Sequence, residues 1–167
     1  MPTTTTLDDI RDFLAQRRIV LAGLSRNPKD FSRLVFREMC QRGYDMVAVN
    51  PAAAGELGGR RCFARVQEIE PPPAAALLMT TPRETERVAR DCAQAGVRRV
   101  WMHRGGGQGA VSKEAADFCR QHGMRLVEGY CPLMFLPATP FFHHAHGFIL
   151  KLLGHYPAEA QRASKAG

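Results

Sequence analysis

Short apolar runs alternate with longer amphipathic segments along most of this chain. Five runs are apolar and bounded by glycine, proline or polar residues, and they cover residues 18–23, 45–49, 75–79, 98–102 and 125–128. Runs this short that are apolar on both faces are typical of strands in a sheet covered on both sides. The pattern therefore predicts an α/β fold with a doubly wound, parallel, five-stranded sheet in three α/β/α layers.

Start and stop signals place four helices around this sheet. Thr6 is a suitable N-cap for a first helix, and two aspartates follow it in the first turn. The other three helices are predicted at 29–42, 82–95 and 112–123, with a proline at the first position of the second of these and a serine cap on the last. The stretch 52–73 is rich in glycine and proline, and only a short helix at 66–69 is predicted in it.

The last thirty residues carry a different pattern. Thr139 and Pro140 are a cap and a first-turn proline, and apolar residues then recur at helical spacing as far as Gly154, at Phe141, Ala145, Phe148, Ile149 and Leu152. This amphipathic helix is too short to span a bilayer. We expect it to pack on the domain or on a second copy as a homodimer contact, and a helix at a membrane surface is the weaker alternative. The sequence thus divides into a domain over 1–137 and a helical extension over 138–167.

Composition narrows the class of protein and of partner. The chain has 167 residues, 45% of them hydrophobic, which fits one folded core rather than a disordered chain or a small disulfide scaffold. Its net charge of +7 fits nucleic acid, an acidic surface or a phosphate-rich small molecule equally well. Five cysteines without a CxxC motif indicate neither disulfides nor zinc, and with no signal peptide they favour the cytoplasm.

The residues that follow the predicted strands are the candidates for chemistry, since ligands of open parallel sheets bind at the carboxyl ends of strands. After the first strand, Gly23 permits a tight turn, and Ser25, Arg26 and Ser32 can donate hydrogen bonds to phosphate oxygens beside a helix N-terminus. The alternative is that Gly23 and Ser25 are only a strand–helix turn and cap.

This turn is not a dinucleotide fingerprint. The second and third glycines of G-x-G-x-x-G are replaced by Ser25 and Pro28, and the second strand ends in Asn50 rather than the acid that holds a ribose. Both departures weigh against a nicotinamide dinucleotide. A small oxidoreductase or redox sensor that binds one remains the alternative function.

Three motifs together resemble a known family. They are G-x-S-x-x-P from Gly23 to Pro28, G-Y-x-x-x-x-V-N-P from Gly43 to Pro51, and W-x-x-x-G from Trp101 to Gly105. Over about residues 19–136 the chain resembles the CoA-binding domain family, the Rossmann-like domain that also forms the N-terminal part of the succinyl-CoA ligase α subunit and has small stand-alone bacterial members. The resemblance implies the strand order 3-2-1-4-5 and bound coenzyme A or acyl-CoA.

The resemblance also implies which residues hold the cofactor. The phosphates would lie on Gly23, Leu24, Ser25 and Arg26 with Ser32 beside them, the adenosine by Asn50 and Pro51, and the pantetheine along Thr80, Thr81, Pro82, His103 and Gly105. Arg26, Arg33, Arg60 and Arg61 are the arginine candidates for the phosphates. Cys131 with Pro132 resembles the cysteine segment that follows the fifth strand, where a buried structural thiol is expected.

The residues point to a binding module rather than an enzyme. The ligase's phosphohistidine segment has no counterpart, and no nucleophile pairs with His103 in the sequence, so we predict no catalytic residues and a regulatory or binding role. His143 and His146 share a helical face but lack further ligands, so no metal site is predicted. Nucleic-acid binding is not expected, since the chain shows neither stacking aromatics nor a helix-turn-helix pattern.

Overall fold

Seven strands and four α-helices make up the part of the protein that a computed structural model describes, namely residues 5–105, 107–137 and 157. The strands are β1 Arg18–Ala22, β2 Asp45–Val49, β3 Gly55–Leu57, β4 Arg60–Phe63, β5 Ala75–Leu78, β6 Arg99–Met102 and β7 Arg125–Glu128. The helices are α1 Leu7–Leu14, α2 Phe31–Gln41, α3 Pro82–Gln94 and α4 Lys113–Gln121. Short 3-10 turns lie at Pro51–Ala53, Val66–Glu68 and Pro132–Met134.

The strands form one sheet in the order β3-β4-β2-β1-β5-β6-β7. All neighbours are parallel except β3 and β4, which form an antiparallel hairpin. The predicted count of five strands is therefore wrong, because both hairpin strands lie in the glycine- and proline-rich stretch 52–73, where no strand is predicted. The predicted order 3-2-1-4-5 is found only if β4 is counted as the third parallel strand. The third apolar run of the sequence forms β5, at 75–78, and pairs with β1 rather than with β2.

Residues on alternate faces of the strands supply two separate cores. In β1, Ile19 and Leu21 belong to the core under α1 and α2, whereas Val20 and Ala22 belong to the core under α3 and α4. The core under α1 and α2 contains Phe13 and Trp101, whose rings meet edge-on with their centroids 5.2 Å apart. The three-layer Rossmann-like arrangement is thus confirmed, and its sheet is covered on both faces.

The helix predictions are confirmed within a residue or two at their ends. Thr6 caps α1 in a reciprocal capping box with Asp9, and Ser112 caps α4 by accepting the N–H of Ala115 at 3.2 Å. The amphipathic helix predicted over 139–154, with its histidines, lies outside the described residues, as does the homodimer contact expected of it. Across the described ranges, no helix is long and apolar enough to cross a membrane.

Candidate functional site: a cleft at the carboxyl edge of the sheet

A cleft of about 560 Å³ opens where the carboxyl ends of β1 and β5 lie side by side. The chain leaves these two adjacent strands toward opposite faces of the sheet, and such a switch point leaves a crevice in open α/β folds. The lining residues come from four strand ends and α3: Ala22, Gly23, Ser25, Val49, Asn50, Pro51, Met79, Thr80, Thr81, Pro82, Glu84, Arg87, Val88, Gln108 and Gly109. The structure thus brings together seven of the twelve predicted site residues, namely Gly23, Ser25, Asn50, Pro51, Thr80, Thr81 and Pro82.

Gly23 lets the first strand end in close contact with its neighbour. Its φ is +92°, and a β-carbon built on it would lie 2.5 Å from the carbonyl oxygen of Met79. Its N–H donates to the carbonyl of Val49 at 2.9 Å. The floor of the cleft therefore consists of backbone from three strands, which any side chain at Gly23 would push apart.

The turn after Gly23 is held by its own side chains. Ser25 Oγ accepts the N–H of Asn27 at 3.1 Å, and Ser32 Oγ accepts the N–H of Ser25 at 3.0 Å. Ser32 in turn donates to Asp30 Oδ1 at 2.6 Å, the carboxylate that caps α2. Ser32 is buried, so its hydroxyl supports the turn from behind rather than lining the cleft.

Two backbone donors of this turn have no partner within the described part of the chain. They are the N–H groups of Leu24 and Arg26, for which no acceptor lies in hydrogen-bond range. Side chains hold the N–H groups of Ser25 and Asn27. A turn with spare N–H groups just before a helix N-terminus is suited to phosphate oxygens.

Asn50 joins this turn to the end of β2. Its Nδ2 donates to the carbonyl of Leu24 at 2.9 Å, and its Oδ1 accepts the N–H of Ala52 at 2.9 Å. An aspartate at this position would have no donor for the Leu24 carbonyl. Asn50 therefore has a structural role at the position where a dinucleotide-binding site would have an acidic residue.

The opposite wall of the cleft is the first turn of α3. Glu84 accepts the N–H of Thr81 at 3.0 Å and its hydroxyl at 2.7 Å, and these bonds lower the pKa of the Glu84 carboxyl. Thr80 and Thr85 share a hydroxyl hydrogen bond of 2.7 Å. The wall is thus an ordered, polar edge with an ionised carboxylate.

Sequence reasoning missed several residues of the cleft. Arg87 lies one turn after Glu84 and lines the cleft, where it donates to Asp91 Oδ2 at 3.3 Å and shares that carboxylate with Arg65. Gln108 and Gly109 reach the cleft because the loop folds back, with Ala110 N–H donating to the His103 carbonyl at 2.8 Å. Helical spacing from Pro82 could have indicated Arg87, whereas no local signal indicates the path of this loop.

The structure places the other five predicted residues away from the cleft lining. Leu24 is buried behind the turn, Ser32 supports it, and Arg26 is exposed. Gly105 is exposed beside His103 rather than in the cleft.

His103 is a buried neutral histidine. It is 7% exposed, burial lowers its pKa to about 4, and no described residue offers a hydrogen bond to its Nε2. Its ring lies 5.7 Å from that of Phe31 between centroids. The imidazole is thus uncharged at neutral pH and cannot attract phosphate by charge.

The cysteines near the fold's centre are poor nucleophiles. Cys131 is buried, as expected, and burial raises the pKa of its thiol to about 11. All five cysteines are unpaired. Among the described residues, no group of histidines, cysteines and carboxylates is arranged to hold a metal ion.

Comparison with known proteins identifies the family. Residues 17–137 match the protein family described as CoA binding domain. The chain belongs to the CoA-binding domain family. The match covers all seven strands and the whole cleft, so the resemblance drawn from the three motifs is confirmed.

The chain is similar to proteins from Bacillus subtilis and Pyrococcus horikoshii. The uncharacterized protein YneT of Bacillus subtilis is 25% identical over 124 residues, covering 74% of this chain and 88% of that protein. A hypothetical protein from Pyrococcus horikoshii OT3 matches with a TM-score of 0.70 at 24% identity, over 87% of this chain and 98% of that one. At this identity the structural match shows the fold alone.

A larger protein contains the same fold as one part. The acetyl-coenzyme A synthetase 1 of Ca. Korarchaeum cryptofilum matches with a TM-score of 0.56 and 22% identity, over 70% of this chain but only 26% of that chain. The likeness again concerns the fold, and about three quarters of the synthetase has no counterpart here.

Proposed function

We propose that this protein binds coenzyme A, or an acyl-CoA, in the cleft between β1 and β5. The observation that carries the proposal is the meeting of the turn at Gly23, the Asn50–Pro51 segment and the Thr80–Pro82 segment around one 560 Å³ space. This is the volume of an ordinary cofactor site, and membership of the CoA-binding domain family supports the same ligand.

The chemistry of the cleft suits the parts of the cofactor in sequence. The diphosphate would lie against Gly23 and Ser25, which line the cleft, in a turn that precedes the N-terminus of α2 and has spare N–H groups. The adenosine would lie beside Asn50 and Pro51. The pantetheine would follow Thr80 and Thr81 between the apolar side chains of Met79 and Val88, which also line the cleft.

The role we propose is binding without catalysis of its own. His103 is neutral and buried away from the cleft lining, and the Cys131 thiol is buried with a pKa of about 11, so neither is an activated base or nucleophile. A binding or regulatory module needs only the ordered cleft. The unpaired thiols support a reducing compartment, which we take to be the cytoplasm.

The experiment that tests this function is a thermal denaturation series with two cofactors. Coenzyme A at millimolar concentration should raise the melting temperature, because a ligand that binds only the folded state stabilises it. NADH should leave it unchanged, because the turn lacks the glycines and the β2 end lacks the acid that a dinucleotide needs. No shift with coenzyme A or acetyl-CoA overturns the proposal, and a shift with NADH alone supports the oxidoreductase alternative.

A further inference from the structure

A second concavity, the arginine groove, lies on the far side of the turn that follows Gly23. Its volume is about 510 Å³, and it is lined by Leu24, Pro28, Arg33, Phe36, Arg37, Cys40, Gln41, Leu57, Gly58 and Arg60. These residues come from the turn, one face of α2 and the β3–β4 hairpin. Three of them are arginines and none is acidic, so the groove is a cationic site beside the proposed cofactor cleft.

Arg33 is already fixed in the groove. Its Nη1 donates to the carbonyl of Ser25 at 3.2 Å, and its Nη2 lies only 2.1 Å from where a β-carbon on Gly58 would be. The guanidinium therefore lies directly on the hairpin turn, in a space that only glycine leaves open. An arginine ordered in advance loses less conformational entropy when an anion binds.

Arg37 and Arg60 also line the groove, and neither is paired with a described carboxylate. Arg37 follows Arg33 by one helical turn on α2, and Arg60 Cζ lies 5.8 Å from the ring centroid of Phe36. Among the residues that the structure describes, no carboxylate lies within ion-pair distance of Arg33, Arg37 or Arg60. Like charges one turn apart on a helix repel, so an anion in the groove would relieve a cost that the free protein carries.

We propose that the arginine groove binds a phosphate monoester. Such a dianion accepts several charge-assisted hydrogen bonds, and the forked guanidinium donor matches it geometrically. The phosphate can come from two sources, the ribose 3′-phosphate of coenzyme A held in the neighbouring cleft or a separate phosphorylated molecule. The first source rests on the proposed function, whereas the second does not.

The test combines two cofactors with a charge-removing variant. Titration calorimetry would compare coenzyme A, dephospho-CoA and phenyl phosphate on the wild type and on the Arg37→Gln/Arg60→Gln double variant. Neither guanidinium makes a hydrogen bond to a described residue, so the melting temperature should stay near that of the wild type. The control is Arg61→Gln, because Arg61 is the next residue on β4 but points to the other face, over the Phe63 ring at 4.5 Å.

If the 3′-phosphate occupies the groove, the wild type binds coenzyme A roughly tenfold or more tightly than dephospho-CoA, and the double variant loses this preference. If a separate molecule occupies it, the two cofactors bind equally. Phenyl phosphate then binds the wild type saturated with dephospho-CoA, but not the double variant.

Two results would overturn the proposal that the arginine groove binds a phosphate monoester. One is a double variant that keeps both the cofactor preference and the phenyl phosphate binding of the wild type; the other is an Arg61→Gln control that loses as much as the double variant. Failure of both cofactors to bind any form would instead overturn the proposed function. The arginine groove would then be judged on phenyl phosphate alone.

Discussion

Single side chains decide what the ends of the strands can bind. Asn50 uses both halves of its amide to join the turn of β1 to the end of β2. The Ser32 hydroxyl is hydrogen-bonded within the same turn, to the N–H of Ser25 and to Asp30. From the sequence alone, a serine at the start of this helix could equally well have been a hydrogen-bond donor to the ligand. Sequence could place both residues near the site, but only the fold shows which of their atoms are already engaged.

His103 links the stability of the protein to pH. Burial lowers its pKa to about 4 from the ordinary 6.5, so between these pH values the unfolded chain binds a proton that the folded chain does not. Its contribution is fully present above pH 6.5 and is lost as the pH falls toward 4, a change of about 3 kcal/mol at most. His103→Gln should therefore reduce the loss of unfolding free energy between pH 6.5 and 4.5 by roughly 2 kcal/mol, measured by urea denaturation.

The matched control for this histidine is His122→Gln, which removes an exposed histidine at the end of α4. We expect it to leave the pH dependence of the wild type in place. Equal pH dependence for His103→Gln and the wild type would show that the His103 ring is protonated in the folded state as readily as in the unfolded chain.

At the level of elements, the contact between β1 and β5 creates the cleft. Gly23→Ala would add a β-carbon 2.5 Å from the Met79 carbonyl at a φ of +92°. We expect it to lower the free energy of unfolding by about 2–4 kcal/mol, the sum of left-handed backbone strain and overpacking. Chemical denaturation measures this change.

Gly96→Ala separates the two causes. Gly96 also has a positive φ, +78°, but a β-carbon there meets nothing within 4 Å. Its substitution should cost only about 1 kcal/mol of backbone strain. Equal costs at both glycines would mean that β1 and β5 can separate at no penalty, and the close contact would then not define the cleft.

The β3–β4 hairpin is the element that sequence analysis failed to predict. Its strands have three and four residues, and their side chains include exposed Glu56, Arg60 and Arg61, so no apolar run marks them. The signal that was present is the Gly58–Gly59 pair, whose φ values of +63° and +74° match the two-residue turns of hairpins. Because β4 extends the sheet beyond β2, this omission also explains the error in strand count and order.

Across the whole molecule, the parts predicted well are those that depend on local periodicity. Buried strands such as β1 and β2 and capped helices such as α1 could be located from apolar spacing and caps. The site could be predicted only as far as strand ends meet at one edge of the sheet. Arg87 and Gln108 could not be predicted as cleft residues, because their positions depend on how α3 and the loop after His103 pack, and no short sequence pattern encodes that packing.

The net charge of +7 acquires a more specific meaning in the folded protein. The cleft itself carries Arg87 with Glu84, whereas the arginine groove carries three arginines and no acid. Of the four arginines considered for the phosphates, Arg33 and Arg60 line the groove. The other two, Arg26 and Arg61, line neither concavity. The arginines are thus unevenly distributed between the two concavities, and the arginine groove carries more positive charge than the cleft.

Hydrogen exchange with mass spectrometry tests the central claim most directly, because it reports both binding and its place. Saturating coenzyme A should slow amide exchange in segments 23–27, 49–51, 79–84 and 108–109, which contribute to the cleft, and leave α1 and α4 unchanged. Unaltered exchange in all four segments, or slowing confined to other parts of the chain, would contradict the claim that coenzyme A binds between β1 and β5.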